Sequence, residues 1–586
     1  VEKLRVELVE DYLGGRGLAT RIFCDVVDPG CDPLGEENAV VIATSPLLGT
    51  EAPTACWAHM VFKSPLTGII GSSNCGGSWA TAFKSAGFDV LLIRGKVEEP
   101  VMIDISSGDA EIKPASNLWG LEVHQTADKL LEDDDQGKGK EVLCIGPAGE
   151  KLVLFASVVS DRRRAWSGPG AGAVFGSKKL KAIRVGGKER VRIRDEERYR
   201  DALERVEYLL RQVPVTKSLL RELGTPGFVK IVDEMGMLPH LNFQNNIHCE
   251  SDLDRISGET LRKSILERQG ECPGCLIGCL RYTRLGDRRG EGPEYDPIVM
   301  LGPDCGIYDL EAVARTNYRC SELGLDTVSF GGTVASAMEL YERGYISSRE
   351  TGGIELNFGK AEMLEKLAEL TAWRKGVGEL LADGSFRLAG RFKHAEYSMS
   401  VKKLEIPGYD PRASFIVALI YMTSPTGACH LQGGSILSPV LFSSKKRIPA
   451  HSLFQAPAAV KNIQNLGIIQ DSLGICRFTQ FAFSPLLWAG IVIGVTGFEF
   501  SSSRLEEIAE RVAALERVFN LRAGVSAEED TLPSRFIQEP MLVGGKEVVI
   551  PAEAIRKMRE EYYEARGWDK NGKPAASLLR RMKIRF

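Results

Sequence analysis

"CPGCLIGC", residues 272–279, sets Cys272, Cys275 and Cys279 in a Cys-x2-Cys-x3-Cys run. Thiols crowded this closely on one loop usually serve a metal. A structural zinc knuckle needs a second close pair of Cys or His. None follows Cys279, and the later thiols Cys305, Cys320, Cys429 and Cys476 stand singly. Iron–sulfur cubanes often draw three cysteines from one loop and a fourth from far away. The spacing therefore favours a cluster over zinc. Cys476, ending "QDSLGIC", is the expected remote ligand, because the glycine before it permits a tight approach.

Around that run lies a chain of 586 residues, too long for one core, so about two to four domains are expected. Apolar content of 44% and charged content of 26% describe an ordinary globular composition. A net charge of −4 gives no basic stripe for nucleic acid. No apolar run approaches the roughly 20 residues that cross a bilayer, so no membrane role is expected. The N-terminus, "VEKLRVELVEDYLGG", is charged from its second residue and does not read as a signal peptide, which predicts a cytoplasmic protein. Thirteen cysteines, an odd number and mostly scattered, favour metal or redox chemistry over a disulfide framework.

The fold class expected is α+β, a β-sheet-rich N-terminal domain followed by two mainly α-helical ones, with boundaries at 1–190, 191–400 and 401–586. Short apolar runs bounded by Gly, Pro or Asn recur early: "AVVIATSP" (39–46), "FDVLLIRGKV" (88–97), "VMIDIS" (101–106), "EVLCIG" (141–146) and "LVLFASVVS" (152–160). Glycine-dense "GSSNCGGSWA" (71–80) and "SGPGAGAVFGSKKLKAI" (167–183) let backbone lie close to a flat or phosphorylated ligand. Beyond about 190, apolar residues recur at helical spacing in 198–213, 361–373 and 504–519. The cysteine run falls in the middle helical region.

Two segments echo each other, "SELGLD" ending at Asp326 and "DSLGIC" running from Asp471 to Cys476. A carboxylate there can accept N–H bonds from an amino-pyrimidine edge; equally, both segments are helix C-terminal turns with glycine at C′. Glu294, in the rigid "EGPEYDP", and His430, in "TGACHLQGG", are the candidate proton-handling groups.

These motifs, with "YLGGRGLA", "KSPLTG", "SSNCGG" and "GAVFGSKKLKAI", resemble in order and spacing the aldehyde ferredoxin oxidoreductase family across essentially the whole chain. The resemblance implies a tungstopterin-dependent oxidation of small aldehydes to carboxylic acids. It implies a [4Fe–4S] cluster on Cys272, Cys275, Cys279 and Cys476, and one tungsten chelated by two pyranopterins, with magnesium bridging their phosphates. Asn74, Gly76, Arg164, Ala165, Ser167, Gly168, Leu325, Asp326, Asp471 and Ile475 would then contact the pterins. Glu294 would be the carboxylate beside the metal, and His430 the donor that polarises the substrate carbonyl. Electrons would leave to ferredoxin or an iron–sulfur partner subunit. The family start also implies that this chain begins later than its relatives.

Departures from the family pattern concentrate on charge. Trp57 stands in place of a pterin-contacting arginine, "SGPG" (167–170) replaces Gly-Arg-Gly-Gly, and Ser321, Thr426 and Gln432 replace an aspartate, an arginine and a lysine. Either local residues such as Arg162 and Arg163 compensate, or the cofactor is altered, or it is absent. Arg315 and Tyr318 replace the residues that hold a bridging iron in some members, so any homodimer is expected to lack that link. Two other readings stay open: a branch with altered reductive chemistry, and a non-catalytic electron-transfer subunit with an empty pterin cavity.

Overall fold

The consecutive apolar run Val40–Ala43 forms strand β1 because both its faces are covered. Val40 and Ile42 point into one core with Met60 and Phe62. Val41 and Ala43 point into another with Leu18, Ala19 and Phe23 of helix α1 (Gly15–Val26). Period-two alternation with apolar residues on both sides is the signature of a strand covered on both faces. The structure, a computed structural model, describes residues 1–132, 139–433 and 449–584. The final glycine of "TGACHLQGG" lies outside the described residues.

Strand β1 pairs antiparallel with β2 (Trp57–Lys63) and β4 (Val90–Ile93), and β3 (Ile70–Gly76) adds to β2. The second sheet has the order β6-β5-β10-β7-β8-β9. Its strands are β5 (Val101–Ser106), β6 (Asp109–Pro114), β7 (Glu141–Ile145), β8 (Val158–Ser160), β9 (Arg164–Trp166) and β10 (Leu180–Gly186). Only β5 and β10 run parallel. One apolar core, including Trp79, Phe83, Leu143, Ile183 and Val185, lies between the two sheets.

From Glu196 onward helices dominate, as the periodicity predicts. One expectation changes here. The cysteine run is not set among helices; it is the connection between β11 (Leu266–Gly270) and β12 (Leu280–Leu285) of a small antiparallel sheet completed by β13 (Arg288–Glu291). The strand "LERQG" has no alternating apolar pattern and is mostly exposed. Its conformation comes from pairing with β12, which local sequence does not report.

Both echoing motifs are helix ends. Helix α2 (Tyr295–Leu301) precedes α3 (Leu310–Leu323), which stops on left-handed Gly324 before α4 (Thr327–Glu342). After α5 (Phe415–Thr423), helix α6 (Ala456–Leu473) stops in the same way on Gly474. Each turn docks on the β-rich region. Ser157 N–H donates to Gly324 O at 2.8 Å, and Ala156 bridges Leu325. Trp57 N–H donates to Gly474 O at 3.1 Å, and Ala55 bridges Ile475. The "YLGGRGLA" glycines serve the same docking, since a Cβ on Gly15 would stand 2.0 Å from Asp471 O. No helix among the described residues is long and apolar enough to cross a membrane.

Candidate functional site

Residues 54–57 tie the two cysteine segments together. Thr54 N–H donates to Gly274 O at 3.2 Å inside the cysteine run, while Ala55 and Trp57 hold the segment before Cys476. The result is a cavity of ≈ 330 Å³ at the junction of the β-rich and helical regions. Cys272, Cys275, Cys279 and Cys476 all border it, as do Glu294 and His430. Of the expected pterin contacts, Asn74, Arg164, Ala165, Ser167 and Leu325 line it, and Gly76, Gly168, Asp326, Asp471 and Ile475 do not.

The thiols sit in a low-dielectric setting with donors aimed at them. Arg164 Nη2 lies 3.2 Å from Cys272 Sγ, and the same guanidinium pairs with Glu291 and donates from Nε to Gly76 O at 3.1 Å. Ile277 N–H donates to Cys275 Sγ at 3.3 Å. Burial pushes the Cys279 and Cys476 thiols up, as it does for any thiol kept from water without a metal. Among the described residues no group of three or more His, Cys, Asp or Glu side chains closes on a single ion. Four thiols spread around one cavity suit a multi-atom cluster, not the tight tetrahedron of one zinc.

Cys56 stands alone in sequence, far ahead of the 272–279 run. It lies buried against Cys272 and Leu280, with Cys275 and Cys279 beside it, and its thiol hydrogen-bonds Cys272. A lone cysteine carries no spacing signal, so only the fold could find it.

The two aspartates do structural work at the edges of the site. Asp326 caps α4, accepting from Ser329 N–H at 2.8 Å, and its other oxygen accepts from Gly168 N–H at 3.2 Å. Asp471 accepts from Asn74 Nδ2 at 3.0 Å and Arg477 Nη2 at 2.6 Å, and lies 3.3 Å from Arg16 Nη1. The turn geometry and the ligand-facing placement are therefore compatible: the glycine caps bring Leu325 and Cys476 to the cavity while the aspartates brace the turns.

Of the two arginines expected to bring charge to the cavity, Arg163 lines it and Arg162 does not. Arg162 turns away to Asp128. Arg163 lines the cavity with a buried Nε that has no partner. Arg477, buried next to Cys476, likewise has Nε and Nη1 unpartnered, and so does the Trp57 indole Nε1. Orphaned buried donors are costly, and an anionic or acceptor-rich ligand in the cavity would satisfy them. The residues present thus fit an iron–sulfur cluster and an anionic organic cofactor. Where the family's bridging-iron residues would stand, Tyr318 is buried and its hydroxyl lies 2.6 Å from Thr283 Oγ1.

Glu294 lies deep in the protein at the start of α2, and burial pushes its carboxyl up. The Thr225 hydroxyl donates to Glu294 Oε2 and accepts from Tyr295 N–H at 3.0 Å, fixing the loop. Tyr295 stacks on Tyr409 at 4.8 Å, and Tyr409 in turn lies 5.7 Å from the His430 ring.

A β-rich domain and a helical body meet here at a thiol-lined cavity, and the chain is an oxidoreductase. The chain belongs to the aldehyde ferredoxin oxidoreductase family, matching its N-terminal domain over residues 1–187 and its domains 2 and 3 over residues 201–584. It is similar to the tungsten-containing aldehyde ferredoxin oxidoreductase of Pyrococcus furiosus, 39% identical over 591 residues, which cover 100% of this chain and 96% of that one. The enzyme of the same name from Thermococcus kodakarensis is 39% identical over 577 residues, covering 98% and 94%. An aliphatic sulfonate oxidoreductase, WOR-like subunit, of Pyrococcus furiosus is 29% identical over 626 residues, covering 100% and 95%. Among solved structures, the active site complex BamBC of benzoyl coenzyme A reductase superposes with a TM-score of 0.86, covering 100% of this chain and 94% of that one. At 23% identity that likeness speaks for the fold alone.

Proposed function

We propose that this chain oxidises aldehydes to carboxylic acids with a tungstopterin and a [4Fe–4S] cluster, and passes the electrons to ferredoxin or an iron–sulfur partner protein. The observation that carries the reading is the convergence of Cys476 with the 272–279 run on one cavity that also holds Glu294 and His430. Cys272, Cys275, Cys279 and Cys476 would hold the cluster; Arg163, Arg477, Asn74 and Ser167 would face the pterins. When bound, the metal centre supplies a two-electron acceptor and the cluster a one-electron exit.

The chain's own residues do the proton and charge work. An aldehyde and water yield a carboxylic acid, two protons and two electrons, so a base must stand near the carbonyl carbon. Glu294, one oxygen held by Thr225, would be that base, and burial pushes its carboxyl up. His430 donates to the carbonyl oxygen as negative charge builds there. Tyr409 and Tyr295 hold the apolar side of the pocket and exclude water.

Metal analysis of the purified protein tests the reading: about one tungsten per four irons is expected, and iron without tungsten would favour an electron relay. Glu294→Gln is expected to lower turnover of acetaldehyde or benzaldehyde by about 10²–10⁴-fold with metal content intact. Loss of metal along with activity would instead give the glutamate a structural role.

A further inference from the structure

Asp296 has no role in the scheme above, yet its setting is not that of a structural carboxylate. It stands in the first turn of α2 and borders the cavity with Glu294, Tyr409 and His430. Its side chain is 17% exposed although it lies deep in the protein, so that exposure is to the cavity. Oδ2 lies 3.4 Å from His430 Nε2, and Oδ1 is buried without a partner. Burial pushes the Asp296 carboxyl up, and only His430 and the Gly408 N–H draw it down. The other titratable groups that face it are the phenols of Tyr295, Tyr409 and Tyr421, and among the described residues no lysine or arginine does.

Each partner answers the other's problem. A carboxylate this deep is costly without a cation, and an imidazolium at the cavity wall is costly without an anion. With Nε2 turned toward Asp296, the ring would meet a substrate through Nδ1. A neutral ring holding its one proton on Nε2 would present Nδ1 as an acceptor, the wrong polarity for a carbonyl oxygen. Catalytic contacts are often long before substrate arrives, so 3.4 Å is compatible with a working pair.

We propose that Asp296 is a positioning residue that holds the Nε2–H of His430, so that a doubly protonated ring offers Nδ1–H to the aldehyde oxygen. This rests on the aldehyde reading and assigns the charge state that reading leaves open. The pair then makes activity depend on the Asp296 carboxylate most strongly on the alkaline side.

The test is a pH profile of kcat/KM for the metal-loaded enzyme with benzaldehyde and acetaldehyde, using benzyl viologen as acceptor. Asp296→Asn should move the alkaline limb down by about one pH unit or more, with iron and tungsten content unchanged. Asp296→Glu, which keeps the charge, should keep the limb. In a His430→Gln background, Asp296→Asn should produce no further shift. Overlaid profiles of wild type and Asp296→Asn would overturn the proposal. If Asp296→Asn fails to load metal, Asp296→Glu decides; failure of both assigns Asp296 to folding and also overturns it. Hydrogen–deuterium exchange at C2 of His430, read by mass spectrometry, is independent of turnover, and it should show the ring losing its proton at lower pH in Asp296→Asn. Wild-type protein that oxidises no aldehyde would defeat the proposed reaction, and the exchange measurement would then still decide the pair.

Discussion

Cys476 shows how the tertiary structure brings a lone residue to a shared cavity. It follows Gly474, whose carbonyl accepts from Trp57, and it borders the same cavity as the three clustered thiols. Cys305, also a lone thiol, is buried with its Sγ 3.3 Å from Met300 O and does not line that cavity. Cys476→Ser is therefore expected to strip iron from the protein, while Cys305→Ser leaves iron content unchanged. Iron analysis with electron paramagnetic resonance of the reduced protein checks both, and equal loss in the two variants would remove Cys476 from the ligand set. Residue type and spacing made the 272–279 run legible from sequence. Asp296 stands two residues from Glu294, but nothing in "EYDP" says that its carboxylate meets a histidine from a distant loop.

At the scale of elements, the helix caps carry both stability and placement. Asp326 is an N-cap acceptor for α4 and also holds Gly168, so it fixes a helix to the glycine-rich loop of the β-rich region. Asp326→Ala should cost roughly 1–2 kcal/mol from the lost cap alone, and Asp326→Asn, which keeps an acceptor, should cost less. Urea denaturation of metal-free protein separates this from any cofactor effect; equal costs for the two variants would show that charge and not capping matters. The glycine turns were readable as helix ends because an αL residue after an amphipathic helix has a sequence signature. The polar strand "LERQG" was not, since its partner across the sheet imposes its conformation.

At the scale of the whole molecule, buried acids set how stability responds to pH. Burial pushes the Asp304 carboxyl up to about 8, with the Phe243 N–H and Arg535 drawing it down only in part. An ordinary Asp titrates near ~3.9, so between these values the folded chain binds the proton and the unfolded chain does not. That stabilisation is complete below the unfolded value and is lost as pH rises through about 8. Asp304→Asn, which needs no proton, should gain stability relative to wild type as pH rises, by no more than about 1.4 kcal/mol per pH unit in that window. Denaturant midpoints measured from pH 5 to 8 check it, and a constant difference would show that Asp304 is ionised when folded.

By itself the sequence determined the β-then-helix order, the thiol run, the capped turns and the family pattern, because each is written in local spacing and residue type. Only the tertiary structure decided that residues 54–57 clamp two distant cysteine segments, that Arg163 and Arg477 rather than Arg162 carry charge into the cavity, and that Asp296 faces His430. Those relations join parts of the chain with no local signal to each other. They exist because burying the two sheets and the helices against one another leaves one arrangement of the loops between them.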